Sequence, residues 1–193
     1  MIYEPSEDSY LLSNSLKNYL NNKKKSISIL DLGTGSGIQA KTCSELSFNN
    51  LMVSDINPVV IKNLKKDFKA IESDLFEKIK GKFDLIIFNP PYLPEDKREP
   101  KDSRTNTTAG KKGYEIIIRF LKQAKSHLEK NGQILMVFSS LSNPKIIIEE
   151  SHYLGYKTQK IANKKIFFEE LFVYSFNIWL YNKLTERFLK YIL

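Results

Sequence analysis

The 193-residue sequence has one cysteine, two histidines and no long apolar run. The single cysteine, Cys43, excludes an intrachain disulfide, and together with His127 and His152 it offers too few ligands for a structural zinc site. We therefore expect no bound metal. No apolar stretch approaches the length of a membrane span, and residues 1–5 lack the basic and apolar regions of a signal peptide. These absences predict a cytoplasmic protein without a membrane partner.

Basic residues outnumber acidic ones, 30 to 22, which gives a formal net charge of +8. Such an excess is compatible with a polyanionic partner such as nucleic acid or a ribosomal particle. Lysine is used heavily along the whole chain, however, and we attribute the charge mainly to this compositional bias. A nucleic-acid partner stays open, although the composition does not favour it.

Predicted strands and helices alternate along the chain, without an internal repeat or a low-complexity tract. Strands are predicted at 27–32, 51–54, near 71, and at 83–88, 134–138, 156–161 and 171–180, and helices at 7–20, 38–46, 58–68, 114–130 and 144–154. This alternation predicts a parallel sheet with helices on both faces. Because no helix separates the last two strands, the closing strand should run antiparallel. The expected fold class is α/β, a Rossmann-like sheet of seven mostly parallel strands with a C-terminal antiparallel hairpin.

A chain of this length forms one domain of ordinary size. We predict a single domain from 1 to 181, with an N-terminal helix and linker in residues 1–25. After it, Leu184, Phe188 and Ile192 recur at helical spacing, which predicts a short amphipathic tail over 182–193. The tail either packs on the core or docks a partner.

A glycine-rich turn and two aspartates follow the first three predicted strands. Gly33, Gly35 and Gly37 let the backbone come close to a ligand at the start of a helix. Asp55, at the end of the second strand, is placed to accept hydrogen bonds from ribose hydroxyls, and Asp74, after the third, to accept one from an adenine amine. A dinucleotide and any other adenosine-containing cofactor fit this pattern, and a tight turn with helix-capping aspartates needs no ligand.

The segment Asn89-Pro90-Pro91-Tyr92 stands where the fourth strand ends and a long polar loop, 90–113, begins. Its two prolines fix two φ angles and remove two backbone donors. The turn is therefore rich in acceptors, with the Asn89 side-chain oxygen and the Pro90 carbonyl beside the flat face of Tyr92. Such a turn suits a planar group that bears an NH2. Because ligands of open α/β sheets bind beyond the carboxyl ends of the strands, we expect the reactive end of a cofactor here.

Three motifs together resemble the class I S-adenosylmethionine-dependent methyltransferases that modify planar amino groups: Asp31 to Gly37, Asp55 to Pro58 and Asn89 to Tyr92. The opening segment, Tyr3 to Ser9, narrows the resemblance to the short archaeal and eukaryotic branch of the HemK family of protein-(glutamine-N5) methyltransferases. The resemblance extends from Tyr3 to about Ile178. It implies S-adenosylmethionine as cofactor and, as methyl acceptor, the glutamine of the Gly-Gly-Gln motif of a peptide chain release factor.

The resemblance also implies two sets of site residues and a partner. The residues lining the cofactor would be Ser9, Asp31, Gly33, Gly35, Asp55, Ile56, Asp74, Leu75 and Asn89. The residues binding the substrate would be Asn89, Pro90, Pro91, Tyr92 and Leu93, with Asn89, Pro90 and Tyr92 as the catalytic group. Members of the short branch work with a small zinc-binding activator protein, so a heterodimer of that kind is an open expectation.

We expect an in-line displacement in which Asn89 and the Pro90 carbonyl accept both hydrogens of the target amide, while Tyr92 packs on its plane. Positioning of this kind is worth roughly 7–11 kcal/mol, against about 1 kcal/mol for a neutral hydrogen bond. Orientation should therefore dominate, and neither histidine is needed as a base.

Two alternatives stay open. In the first, the chain methylates the exocyclic amine of adenine in DNA or RNA, with Tyr92 stacking on a flipped base. Basic residues of the loop support it: Lys97, Arg98, Lys101, Arg104, Lys111 and Lys112. In the second, the chain is a non-catalytic partner subunit, which the presence of Asp55, Asp74 and Asn89 argues against.

Overall fold

The computed structural model describes residues 4–95 and 110–179, and within these ranges the chain forms seven strands and five α-helices. The strands are β1 (Ile29–Leu32), β2 (Leu51–Asp55), β3 (Lys69–Glu72), β4 (Phe83–Phe88), β5 (Leu128–Ser139), β6 (Tyr156–Lys165) and β7 (Glu170–Ile178). The helices are α1 (Glu7–Leu20), α2 (Ile38–Glu45), α3 (Pro58–Leu64), α4 (Glu115–Ala124) and α5 (Pro144–Tyr153). Two 3-10 turns, Lys125–His127 and Ser140–Ser142, flank β5.

All seven strands form one sheet in the order β3-β2-β1-β4-β5-β7-β6. The first five strands are parallel, and β7 runs antiparallel to both β5 and β6. The predicted α/β fold, with its mostly parallel sheet and its antiparallel C-terminal hairpin, is therefore confirmed. The strand order reverses between β1 and β4, and in open α/β sheets this switch point is where ligands bind.

Helices cover both faces of the sheet. The apolar side chains of α1 and α2, among them Leu12, Leu16 and Cys43, pack on one face, and α3 joins them beside β2. On the other face, Ile117 and Phe120 of α4 pack with α5 in the larger core cluster. The central strand β1 is buried along its whole length. The sequence of a strand that is covered on both faces is a nearly continuous apolar run. This is why the parallel strands could be predicted from the sequence.

The predicted helix over 114–130 is wrong at its end. The helix α4 stops at Ala124, and β5 already begins at Leu128. A Cβ atom on Gly132 would lie 2.7 Å from the Phe83 carbonyl oxygen, and the register of β5 against β4 shifts at this point. The glycine therefore marks a bulge within a strand, and glycine is as typical of a bulge as of a helix end.

Two other predicted boundaries differ from the structure. The helix predicted to reach residue 68 ends at Leu64, since the chain needs the next few residues to enter β3 at Lys69. The sixth strand continues to Lys165 instead of ending at 161, because it pairs with β7 along almost its entire length.

Some predictions fall outside the described residues: Tyr3, the loop residues Lys97, Arg98, Lys101 and Arg104, and the tail 182–193. The domain boundary at 181 thus stays a prediction.

The described ends of the long loop meet, because the Glu95 amide donates to the Gly110 carbonyl at 3.0 Å. Within 4–95 and 110–179, no helix combines the length and the apolar character that crossing a membrane requires.

Candidate active site

The carboxyl ends of β1, β2 and β4, together with the segment after β3, open into one cavity of about 1050 Å³. Pockets for small ligands are typically about 300–1,000 Å³, so a nucleoside-containing cofactor and a substrate side chain fit together. The residues that the resemblance assigned to the cofactor and the substrate all line this cavity: Ser9, Asp31, Gly33, Gly35, Asp55, Ile56, Asp74, Leu75, Asn89, Pro90, Pro91, Tyr92 and Leu93. Gly37 of the glycine-rich turn does not line it. The convergence follows from parallel strands, whose carboxyl ends meet at one edge of the sheet.

Asp31 ties the glycine-rich turn to the start of α2. Its Oδ2 atom accepts hydrogen bonds from the Thr34 hydroxyl at 2.6 Å and from the Ala40 amide at 3.1 Å. The residue is 1% exposed, and burial raises the pKa of Asp31 to about 7, although the two hydrogen bonds oppose the rise. A cationic ligand beside this carboxyl group would favour its ionised form.

Asp55 holds the two backbone segments on either side of it. One carboxylate oxygen accepts from the Gly35 amide and the other from the Asn57 amide, both at 2.9 Å. Asn57 in turn caps α3 through a bond from the Val59 amide. Asp55 thus fixes the glycine-rich turn against β2, and because each carboxylate oxygen can accept more than one bond, both keep capacity for a ligand hydroxyl.

Asp74 forms an ion pair with Arg119 of α4, a residue that sequence reasoning missed. Both side chains line the cavity. The neighbouring Leu75 has a φ of +45°, and its carbonyl accepts from the Ser73 hydroxyl at 3.0 Å, so the turn after β3 has one defined shape. Arg119 carried no signal in the sequence, because only the packing of α4 on the sheet brings it to Asp74.

The Asn89 side chain is oriented by α1. Its Nδ2 atom lies 3.2 Å from Asp8 Oδ2 and 3.4 Å from Ser9 Oγ. Because a carboxylate can only accept, the NH2 end of the amide must face Asp8, and Oδ1 points the other way. This Oδ1 atom is buried and accepts no hydrogen bond from the described chain.

Asp8 also positions the aromatic ring beside Asn89. The Tyr92 hydroxyl donates to Asp8 Oδ2 at 3.1 Å, and the Ser9 amide donates to Oδ1 at 2.6 Å. Asp8 is only 3% exposed. Sequence reasoning did not place Asp8 in the site, although it lies inside the opening segment that carried the family resemblance.

The Asn89-Pro90-Pro91-Tyr92 turn is held on its outer side as well. The Tyr92 carbonyl accepts from the Ser142 hydroxyl at 2.7 Å. At Gly113 a Cβ atom would lie 2.9 Å from the same carbonyl, so the chain can return past the turn only with glycine there. The loop after β5 and the end of the long loop therefore both contact the turn and hold it in place.

Three residues that line the cavity each have a buried acceptor without a hydrogen-bond partner within the described chain: Gln39 Oε1, Asn89 Oδ1 and Glu169 Oε2. Gln39 is 3% exposed, and its Nε2 atom donates to the Ser9 carbonyl at 2.9 Å, which leaves Oε1 unpaired. An unpaired buried acceptor costs about 1–3 kcal/mol, and N–H groups of a ligand would remove that cost. S-adenosylmethionine has an ammonium group and an adenine amine, so these residues fit it.

Comparison with known proteins gives the same picture. The methyltransferase small domain family matches residues 8–167. A Methanocaldococcus jannaschii protein named as a protein N5-glutamine methyltransferase is 40% identical over 92% of this chain and 91% of its own. A release factor glutamine methyltransferase of Borreliella burgdorferi is 37% identical over 56% of this chain, but this match spans only 43% of that protein. The fold is shared with a chain of the Mtq2–Trm112 complex of E. cuniculi. The TM-score is 0.74 and the identity is 24%, and the match covers 92% of this chain and 98% of that chain.

The sheet order, the glycine-rich turn and the cavity are those of a class I S-adenosylmethionine-dependent methyltransferase. The chain belongs to the methyltransferase small domain family and, within it, to the HemK family of protein glutamine methyltransferases.

Proposed function

We propose that this enzyme methylates the side-chain amide nitrogen of the glutamine in the Gly-Gly-Gln motif of a peptide chain release factor, and that it acts in translation termination in the cytoplasm. The observation that carries the proposal is the orientation of Asn89, whose unpaired Oδ1 faces away from Asp8. The names of the relatives support it, since the B. burgdorferi protein acts on a release factor and the E. cuniculi complex methylates the termination factor eRF1.

The cofactor-lining roles of the predicted residues are part of this proposal. Asp55 would accept from the ribose, and the turn of Asp74 and Leu75 would hold the adenine. Gln39 Oε1 lies on the Asn89 side of the cavity through its bond to Ser9, so we assign it to the ammonium group of the methionine moiety. The cofactor, when bound, supplies a methyl group on a cationic sulfonium.

The substrate amide is a weak nucleophile, and the chain acts on it by orientation. Asn89 Oδ1 and the Pro90 carbonyl accept one hydrogen each from the amide NH2, which draws electron density towards nitrogen and fixes its plane. The nitrogen lone pair, perpendicular to that plane, is thereby directed at the sulfonium methyl group. As the N–C bond formed, the S–C bond would break with its electron pair left on sulfur, and one of the two amide hydrogens would leave as a proton to water. Positioning is worth roughly 7–11 kcal/mol, more than any single hydrogen bond here supplies.

Asp8 keeps both side chains of this arrangement in place. By accepting from Asn89 Nδ2 and the Tyr92 hydroxyl, it prevents the Asn89 amide from rotating and holds the Tyr92 ring beside the amide plane. Pro90 is buried, and because Pro91 follows it, its backbone is restricted to extended angles, which limits the directions its carbonyl can take. These atoms are positioned before the substrate arrives, so little ordering remains to be done on binding.

We also propose that the chain works with a small zinc-binding partner subunit. The support is the E. cuniculi relative, which is a complex of two proteins with the same fold in its catalytic subunit. Among the described strands, β3 is outermost on its side of the sheet, and no described strand pairs with its outer edge, where a partner could add.

A labelled-methyl assay tests the proposed function. It offers three acceptors: an intact release factor, the same factor with the motif glutamine replaced by alanine, and adenine-containing oligonucleotides. Transfer to the intact factor alone is the expected result. Transfer to the alanine variant or to the oligonucleotides would contradict it, and the second outcome would support adenine methylation instead.

A further inference from the structure

Phe167 and Phe168, at the tip of the β6–β7 hairpin, are the most exposed phenylalanines that the structure describes. Their side chains are 99% and 93% exposed, and their ring centroids lie 6.4 Å apart. Folding gains nothing from these rings, since water surrounds both. Adjacent exposed aromatic side chains are typical of a surface that another molecule covers.

The hairpin tip has a fixed position on the molecule. The Ile166 amide donates to the Glu169 carbonyl at 2.9 Å, which closes the turn. The Glu170 amide donates to the Ser140 hydroxyl at 3.0 Å, and Lys164 forms an ion pair with Glu7 at the start of α1. The two phenylalanines therefore stand on a turn anchored from both sides, and binding to them requires little ordering of the backbone.

The tip is continuous with the cavity. Glu169, directly after the two phenylalanines, lines the same cavity as Asn89, and its Oε2 atom is buried without a hydrogen-bond partner in the described chain. Glu7, which holds the hairpin through Lys164, precedes Asp8, which holds Asn89. The hairpin tip thus forms part of the rim on the substrate side of the cavity.

We propose that Phe167 and Phe168 dock the release factor itself, by covering an apolar surface of that protein beside its Gly-Gly-Gln segment. This inference rests on the proposed function. The two glycines have no side chains, so the enzyme can contact little of the target segment besides the glutamine and the backbone. Contacts beyond the segment must therefore supply most of the affinity, and a protein that delivers glutamine into the cavity has to lie across its rim.

Other occupants fit the position less well. A permanently bound partner subunit or a second copy of the chain on this tip would stand over the rim that the substrate must cross. The release factor, in contrast, needs to be there only while its glutamine occupies the cavity. An exposed apolar tip that is free between turnovers agrees with a transient partner.

The experiment compares the double variant Phe167→Ser/Phe168→Ser with the wild type, purified with any subunit that copurifies. The KM for the intact release factor should rise about ten-fold or more, as for paired aromatic residues at an interface centre, while kcat stays within about two-fold. The Kd for S-adenosylhomocysteine should not change. The control is Tyr153→Ser, an aromatic side chain that is 88% exposed at the end of α5, just before the opposite end of β6 and roughly 30 Å from the hairpin tip.

The outcomes separate this inference from the proposed function. An unchanged KM in the double variant, with an active wild type, would overturn the docking site alone. A wild type that methylates no release factor would overturn both. As a second measurement, Phe168→p-benzoylphenylalanine should photo-crosslink to the release factor, and a crosslink formed only with a second copy or a partner subunit would contradict the inference.

Discussion

At the scale of single residues, Asp8 decides which end of the Asn89 amide points away from α1. An asparagine can present either oxygen or NH2, and only the oxygen suits a substrate NH2. The Asp8 carboxylate settles the choice because it accepts from Nδ2 at 3.2 Å. The orientation of Asn89 therefore depends on a side chain that lies 81 positions earlier in the sequence.

Replacing this carboxylate tests its role. In Asp8→Asn the new amide can donate to Asn89 Oδ1, so the Asn89 side chain is no longer held with its oxygen away from residue 8. We expect kcat to fall by about one hundred-fold, the order of loss that a misplacement of about 1 Å produces. The Kd for S-adenosylhomocysteine, measured by calorimetry, should stay within a few-fold. Tyr92→Phe, which removes one donor to Asp8, is the milder control, and equal losses in both variants would contradict this role.

Gln39 gives a second prediction at the residue scale. Gln39→Leu removes the unpaired Oε1 atom, and affinity for S-adenosylhomocysteine should fall about ten-fold or more, as for a hydrogen bond to a charged group. Methylthioadenosine, which lacks the amino-acid part, should bind the variant and the wild type equally. An equal loss for both ligands would show that Gln39 acts through the fold and not through the ammonium group.

At the scale of elements, α1 forms a wall of the cavity as well as part of the core. Its apolar stripe, Leu12, Leu16 and Leu20, is fully buried against the sheet, while Asp8 and Ser9 in its first turn line the cavity. The Ser13 hydroxyl is 2.7 Å from that of Thr42 and joins α1 to α2. Packing of this helix therefore sets the position of the group that orients Asn89.

A core substitution in α1 should affect stability and activity together. Leu16→Ala removes a fully buried side chain, so the free energy of unfolding should fall by about 2–5 kcal/mol in urea denaturation. Activity below the unfolding transition should also fall, because α1 carries Asp8. Lys17→Ala, at an exposed position of the same helix, should change neither quantity. A loss below about 1 kcal/mol for Leu16→Ala would contradict the packing of α1.

The elements also show how far sequence reasoning reaches. Asp55 and Asn89 could be placed in one site because each stands where a predicted parallel strand ends, and such ends converge whatever the details of packing. Asp31 could be assigned to the site through the family resemblance. Gln39 and Glu169 could not be placed there, because their place in the cavity depends on how α2 and the hairpin pack on the sheet. The bulge at Gly132 was missed for a local reason, since the same glycine also suits a helix end.

At the scale of the whole molecule, the site places an ionisable group in the middle of the fold. Asp31 is at the end of the central strand, and burial raises its pKa to about 7. The pKa of aspartate in an unfolded chain is about 3.9. The folded state thus binds this proton more tightly than the unfolded state does, so the stability it contributes is complete below about pH 4 and is lost as the pH rises through about 7.

The variant Asp31→Asn removes this dependence. Asparagine can still accept from the Thr34 hydroxyl and the Ala40 amide, so the turn should keep its shape. In the absence of cofactor, the stability of the wild type should fall relative to the variant between about pH 4 and about pH 7. Urea midpoints across this range measure the difference. Parallel curves for the two proteins would contradict a raised pKa at Asp31.

The most direct measurement is a single-turnover reaction with an intact release factor, followed by mass spectrometry of the peptide that contains the Gly-Gly-Gln motif. With the wild type we expect one methyl group on the glutamine side-chain nitrogen. With Asn89→Ala we expect almost none, although the Kd for S-adenosylhomocysteine stays within a few-fold of the wild-type value. A near-normal single-turnover rate in Asn89→Ala, or a methyl group on another residue of the factor, would contradict the proposed role of the turn.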